Sequence, residues 1–458
     1  MNSPALAPAR GTVDDVVGRI ERMPMSTWHL KTRVVVGVAT FFDGFDAISI
    51  AYVLPAVAPL WHLTPTQIGL LLSASFAGQV LAALVSGWLA ERYGRLPVII
   101  WSTLMYSLLS FACAFAWDFW SLLVLRTLQG IGIGAEVPIA MTYLAELSRA
   151  KGRGRFLLLY ELVFPAGLLA AVLVGAWVVP VIGWRWLFVI GGAPALLVVF
   201  MQRLLPESPR WLATHGRHAA ADEVVSLIEN SVERSTGRPL PPPVRVVAAT
   251  QERRTSLADL FGPTYLTRTL TIWTIWATGY FCTYGLTTWL PSIYRSTFQM
   301  SVSDALTYSI ATQVFGLIGG VVCALCIDRT PRRGWFAMAF AGSALASLYL
   351  WYATPSSAIV VMIAASISYF FITSVALGVY LYTPEIYPTR ARAVGFTTSA
   401  VWGRIASFIA PNVIAATLAA SGLGAVFLCF GLVAAFGAVI AGIFVTETRF
   451  KVLEEISP

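Results

Sequence analysis

Six charged side chains lie well inside long apolar runs of this sequence, away from their ends: Asp43, Asp46, Arg126, Glu136, Glu161 and Arg404. At the centre of a bilayer such a charge costs about 2.5–3.5 kcal/mol on insertion scales, so each needs a partner or a task. Two kinds of chemistry are open to them. A carboxylate beside an arginine keeps its charge, and one that loses that partner in a dry cavity takes up a proton. An arginine with no acid near it can hold an anion, bidentately if the anion is a carboxylate.

Helical rise sets the depths of these groups. At about 1.5 Å per residue, Asp43 lies ~15 Å into its run, near the midplane, and Asp46 about one turn further on a similar face. Arg126 lies ~9 Å from the far end of its run, at nearly the depth of Asp46. Asp46, or Asp43, is therefore expected to pair with Arg126, as a proton-coupling set with Glu136 and Glu161 or as a static ion pair. Arg404 lies ~18 Å beyond Arg392, again near the midplane, with no obvious acid in its own half. Its expected partner is an anionic substrate; the competing reading pairs it with an acid of the first run across a cavity.

Elements of a particular kind must carry these groups. The 458 residues are 57% hydrophobic and 12% charged, with mean hydropathy +0.73. A soluble chain carries about 25% charge, so a soluble enzyme, a nucleic-acid-binding domain and a disordered chain are excluded. Twelve runs approach the roughly 20 apolar residues of a membrane-crossing helix: 34–59, 67–90, 98–116, 120–147, 156–179, 184–201, 270–293, 305–327, 335–352, 358–382, 393–416 and 423–445. Of the 31 Lys and Arg, 27 fall in one alternating set of tails and loops and two, Arg185 and Arg295, in the other. By the positive-inside rule both termini are expected in the cytoplasm.

The expected class is an all-α integral membrane protein with twelve transmembrane helices in two parallel six-helix repeats. The divisions are a cytoplasmic N-terminal tail over 1–33, a six-helix bundle over 34–203 and a linker with amphipathic helices over 204–268. A second bundle covers 269–446 and a cytoplasmic tail 447–458. Residues 1–33 read as a polar tail rather than a signal peptide, and 237–243 as a flexible joint.

The halves repeat. Gly87-Trp88-Leu89-Ala90-Glu91-Arg92-Tyr93-Gly94-Arg95 follows the second run, and Asp328-Arg329-Thr330-Pro331-Arg332-Arg333 follows the eighth. Glu146 with Arg153 follows the fourth, and Glu385 with Arg390 the tenth. Glu91, Arg92, Arg95, Glu146 and Arg153, mirrored by Asp328, Arg329, Glu385 and Arg390, read as a cytoplasmic gate network that forms and breaks with conformation. Aromatic residues make up 13% of the chain, mostly in the usual lipid-facing role. Tyr280, Tyr284, Trp289, Gln313, Tyr380, Tyr382 and Trp402 are candidates to line a cavity. An aromatic wall plus Arg404 suits a planar aromatic carboxylate.

At these motifs the chain resembles the major facilitator superfamily over nearly its whole length. Gly87 to Arg95 resembles the signature loop between helices 2 and 3. Pro206-Glu207-Ser208-Pro209-Arg210-Trp211-Leu212 and Thr383-Pro384-Glu385-Ile386-Tyr387-Pro388-Thr389-Arg390-Ala391-Arg392 resemble the sugar-porter signatures after helices 6 and 10. The seventh run lacks the glutamine–asparagine pattern of sugar porters. Asp43-Gly44-Phe45-Asp46 is similar to the motif of aromatic-acid/proton symporters, and Arg404 stands where organic-anion transporters hold an arginine. The nearest resemblance is to nicotinate (niacin) permeases, then to aromatic-acid symporters, in the branch that includes synaptic-vesicle-type proteins. It implies a monomeric, multi-pass transporter of the bacterial inner membrane that imports a small anionic aromatic substrate with protons. A benzoate-type symporter, a drug or organic-cation exporter, a receptor and a membrane enzyme are the rivals. No phosphate-binding loop, metal cluster or nucleophile–base motif is present in the sequence, so no cofactor, metal, nucleic acid or enzymatic activity is expected.

Overall fold

The computed structural model describes residues 10–244, 260–263, 265–353, 357–387 and 389–448, and within these not the side chains of residues 155, 158, 328, 389, 390 and 393. The gate readings on Asp328 and Arg390 therefore concern side chains outside the described residues. Every long element is a helix: α1 Val13–Arg22, α2 Thr27–Leu60, α3 Pro65–Tyr93, α4 Arg95–Cys113, α5 Phe119–Glu146, α6 Arg153–Glu161, α7 Val163–Val181, α8 Arg185–Gly191, α9 Pro194–Leu204, α10 Pro209–Thr214, α11 His218–Thr236, α12 Leu266–Thr297, α13 Val302–Cys326, α14 Arg332–Ala353, α15 Ala358–Glu385 and α16 Thr389–Phe444.

Among the described residues ten helices are long and apolar enough to cross a membrane. This count is smaller than the twelve apolar runs for two reasons. The last two runs form one long helix, bent where Gly422 leaves helical geometry at φ 77° and ψ −175°. Leu266–Thr297, rich in Thr, Trp and Tyr, falls outside the ten. Most helices outrun their apolar cores by a few residues, because a helix continues through the interface until a cap stops it.

Local chemistry sets those ends. Pro65 opens α3 behind a reciprocal cap in which the Thr64 N–H donates to Gln67 Oε1 at 2.9 Å and the Gln67 N–H to Thr64 Oγ1 at 3.3 Å. Asp118 caps α5 by accepting the Ser121 N–H at 2.8 Å. Such caps satisfy N–H groups that have no intrahelical acceptor. Between α3 and α4 the chain reverses at Gly94, whose φ of 107° favours glycine. Glu207, from the loop after α9, accepts the N–H groups of Arg95 and Leu96 at 3.1 and 3.2 Å. A carboxylate there satisfies orphan donors and faces the positive end of the helix dipole.

The packing repeats along the chain. In the first set α2 packs on α7, and α5 lies against both α3 and α4; in the second α12 packs on α16, and α15 lies against both α13 and α14. Close approach needs small residues: a Cβ on Gly167 of α7 would stand 2.0 Å from the Phe41 carbonyl oxygen of α2. The two sets meet mainly through α3 with α16, α7 with α13 and α2 with α12.

Residues 10–33 are more structured than a plain tail. The buried residues of α11, Ala221, Val225, Ile228, Glu229 and Val232, fall on one face, and α1 packs on α10 and α11. Arg19 grips both Glu229 oxygens, Nε to Oε1 at 3.0 Å and Nη2 to Oε2 at 2.6 Å, and also reaches Asp222. Arg22 binds Glu229 as well and donates to the Pro241 carbonyl at 2.8 Å. The segment expected to be a flexible joint is thus held against α1, where the Val244 N–H also donates to the Gly18 carbonyl at 3.1 Å.

Burial pushes the Glu229 carboxyl up, but hydrogen bonds from Arg19 and Arg22 outweigh it and hold it below its ordinary 4.5. A depressed carboxylate stabilises the fold above its unfolded pKa and loses that contribution as pH falls through its folded value. The clip should be complete above pH 4.5 and weaken below it. Arg19→Ala is expected to cost about 1–2 kcal/mol after allowance for solvent screening. That corresponds to a roughly tenfold larger open population, read as faster tryptic cleavage after Arg22 of α1 at neutral pH. Cleavage at the wild-type rate would count against the clip.

Candidate functional site

A cavity of about 120 Å3 lies between the two sets of helices. The first set contributes Asp43 of α2, Phe76 and Gln79 of α3, Glu161 at the end of α6, and Phe164 and Pro165 of α7. The second contributes Trp276, Tyr280, Thr283 and Tyr284 of α12, Gln313 of α13, Tyr369, Thr373 and Tyr380 of α15, and Arg404 and Ser407 of α16. One wall is a continuous aromatic surface. Trp276 stacks on Tyr280 at 5.1 Å and 23°, and the Tyr280 hydroxyl donates to that of Tyr380 at 3.0 Å. Trp276 Nε1–H donates to Thr383 Oγ1 at 3.0 Å, which locks its ring. Flat faces held this way suit a planar ring.

The charged groups sit around this wall. Arg404 makes neither a hydrogen bond nor an ion pair among the described residues. Asp43 is 1% exposed, and neither of its carboxylate oxygens has a hydrogen-bond partner among the described residues. It lies within electrostatic range of Glu136, Arg404, Asp46 and Glu161. Glu161 stands where the chain breaks between α6 and α7 at Leu162, and its Oε1 is buried without a hydrogen-bond partner among the described residues. The cavity therefore holds two under-satisfied acids and one free guanidinium, the groups needed to carry a proton and hold an anion.

The pairing expected between Asp46 and Arg126 takes another form. Arg126 Nη1 and Nη2 both donate to the Asp46 main-chain carbonyl at 3.1 Å, and Nη1 to Gln129 Oε1 at 2.7 Å. The Asp46 carboxylate instead accepts the Ser110 hydroxyl at 2.8 Å. Depth matched these residues correctly, but the atom gripped is on the backbone. Neither residue lines the cavity. Glu136 accepts the Thr40 hydroxyl at 3.1 Å behind the cavity wall.

The two ends of the interface differ. Away from the Gly87–Arg95 turn the sets touch. Gln313 Nε2 donates to the Tyr52 hydroxyl at 3.0 Å, Asn412 Nδ2 to Ser73 Oγ at 2.9 Å, and Phe76 meets Tyr284 at 4.7 Å. Toward that turn a vestibule of about 260 Å3 runs between α3, α5 and α16 past Ser86, Thr142 and Thr397 to Glu91 and Arg95. Arg404 and Ala400 line both spaces.

Of the residues expected to form a gate, Arg95 bridges Glu91 at 2.8 Å and Glu146 at 3.1 Å. Arg153 pairs with Glu21 at 3.2 Å instead, Arg92 lies over Trp88, and Glu385 takes Arg332 at 2.9 Å. No partner is described for Arg329. Each described ion pair of this network stays within one set of helices.

Of the proposed substrate contacts, Arg404, Tyr280, Tyr284, Gln313 and Tyr380 reach the cavity. Trp289 does not: its indole N–H is spent on the Pro411 carbonyl at 3.0 Å. The Tyr382 hydroxyl binds the Thr446 carbonyl at 3.0 Å, and Trp402 is 40% exposed on the outer surface beside Trp273. Gln79, Trp276, Thr283, Thr373 and Ser407 line the cavity without having been singled out. An isolated glutamine within the apolar run 67–90 was the signal available for Gln79.

Comparison with known proteins follows the same lines. The family described as "Sugar (and other) transporter" matches residues 33–458. The niacin transporter NiaP of Acinetobacter baylyi is 34% identical, covering 96% of this chain and 99% of its own. The gallate transporter of Pseudomonas putida is 29% identical over 93% of this chain and 94% of its own. A crystal structure of a D-xylose–proton symporter superposes with a TM-score of 0.71 at 18% identity, covering 93% of this chain and all of that one.

Proposed function

This chain belongs to the sugar (and other) transporter family of the major facilitator superfamily, and from that premise we propose that it imports a small aromatic or heteroaromatic monocarboxylate, nicotinate first, by proton symport. The observation that carries the reading is Arg404, a guanidinium with no hydrogen bond or ion pair among the described residues, beside a stacked aromatic wall and within electrostatic range of Asp43. A carboxylate on Arg404 with its ring against Trp276 and Tyr280 satisfies both features. Asp43 carries the coupled proton, with Glu161 as a second protonatable group. Hydroxybenzoates are the second choice: the gallate transporter is a relative, and Thr283, Thr373 and Ser407 offer hydroxyls to a ring substituent.

The architecture proposed with it has twelve spans in two six-helix halves, with both termini cytoplasmic. Ten spans come from length and apolarity; counting Val394–Phe444 as two at Gly422 and adding Leu266–Thr297 makes twelve. The vestibule past Arg404 is then the cytoplasmic mouth, closed at the other end by Tyr52–Gln313 and Ser73–Asn412, and the arrangement faces inward. The Arg95–Glu91–Glu146 and Arg332–Glu385 clusters are gates that re-pair when the halves rock. The molecule works as a monomer in the bacterial inner membrane.

The test is uptake of labelled nicotinate into proteoliposomes under an inward proton gradient. Accumulation that collapses with a protonophore and is blocked by unlabelled nicotinate is expected. Accumulation of a benzoate but not nicotinate would move the substrate within the class. Uptake of cations but of no anion would overturn the reading.

A further inference from the structure

Arg404 belongs to the second set of helices, so an anion held by it alone would move with that half. The antiparallel packing of α3 and α16 places another donor at the same depth. Asn412 Nδ2 donates to Ser73 Oγ at 2.9 Å, and Gly69, one turn earlier on α3, abuts Pro411, Asn412 and Ala415. From that fixed point about 9 Å of rise carries α3 down to Gln79, and about 12 Å carries α16 back to Arg404. Both residues line the central cavity. Further along, Ala83 of α3 and Arg404 line the vestibule together, so α3 and α16 remain neighbours beyond this level.

The Gln79 side chain is available. The residue is 8% exposed and makes no hydrogen bond with any described residue. Gln313 differs in this respect, since its amide donates to Tyr52. A primary amide brings two N–H donors, and because Gln79 lines the cavity with no protein acceptor described for it, those donors are open to a bound ligand.

We infer that Gln79 is the first half's contact to the substrate carboxylate, donating an N–H to the anion that Arg404 holds from the second half. The inference rests on the carboxylate reading above and adds a mechanical consequence. The anion bridges α3 and α16, so its binding favours arrangements in which the halves approach at this level, whereas in the empty site the two donors line one cavity without a shared acceptor. A ligand shifts such an equilibrium only through contacts that differ between the two states, and a bridging carboxylate supplies one.

The experiment measures KM for labelled nicotinate and labelled benzoate in proteoliposomes of wild type, Gln79→Met and Gln79→Asn. Gln79→Met keeps side-chain length and removes the donors. It is expected to raise KM for both acids by the same factor, about tenfold, because the lost bond is to a charged group that the two share. Gln79→Asn keeps the amide but retracts it, so a smaller rise, again equal for the two acids, is expected; it also serves if Gln79→Met does not fold. Unchanged KM in a folded variant would overturn the inference. A rise for nicotinate alone would also overturn it, because the amide would then be reading the ring nitrogen. Failure of wild type to take up either acid would instead overturn the carboxylate reading and this contact with it, and is visible before any variant is compared.

Discussion

Arg404→Ala is expected to abolish accumulation of aromatic carboxylates. Removing one partner of a desolvated charge pair costs about 2–5 kcal/mol, a loss of roughly 30-fold to several thousand-fold in affinity. The effect should lie toward the upper end, because no other cation lines the central cavity among the described residues. Arg404→Lys should recover only part of it: an ammonium restores the charge but not the two parallel N–H groups that fit a carboxylate. Direct binding of labelled nicotinate to detergent-purified protein separates lost affinity from lost turnover. An Arg404→Ala protein with wild-type affinity would end the anion reading and favour a cation carrier using Asp43 and Glu161.

Asp43→Asn is expected to uncouple transport while leaving exchange. The asparagine fills the same space but has no proton to trade, so net uptake driven by a proton gradient should fall to the level of passive leak. A gradient of one pH unit can sustain about tenfold accumulation per coupled proton, and this is the signal that disappears. Counterflow, in which unlabelled substrate inside exchanges for labelled substrate outside, needs no net proton movement and should persist. Asp46→Asn should have a smaller effect, because the Asp46 carboxylate points to Ser110 and not into the cavity. If both variants keep full gradient-driven uptake, coupling does not run through this helix.

The ion-pair clusters bear on the same proposed cycle. Arg95, Glu91 and Glu146 are joined within the first set and Arg332 with Glu385 within the second, while a vestibule stays open between the first cluster and α16. That is the arrangement expected when the halves have parted at one end. Tyr52 with Gln313 and Ser73 with Asn412 hold the other end together, through neutral hydrogen bonds that exchange at modest cost.

The sequence by itself determined the membrane class, the helical content and the repeat, because all three follow from composition and period. Apolar runs of bilayer length and a one-sided distribution of Lys and Arg need no tertiary contact to be read. It also singled out Asp43, Glu161 and Arg404, since a charge in an apolar run is conspicuous in one dimension. Only the tertiary structure decided which way side chains point and which atoms they meet. Helical rise placed Arg126 at the depth of Asp46, but depth does not distinguish a carboxylate from a main-chain carbonyl. Trp289, Tyr382 and Trp402 have the right residue type, yet rotation about their helix axes turns them to Pro411, to Thr446 and to the outer surface. Gln79 became a candidate through the reverse process: its type was unremarkable, and it gained a role when α3 was laid antiparallel to α16. The order of residues 10–33 was hidden for the same reason, because Arg19 and Glu229 are far apart in the chain and meet only when α1 folds onto α11.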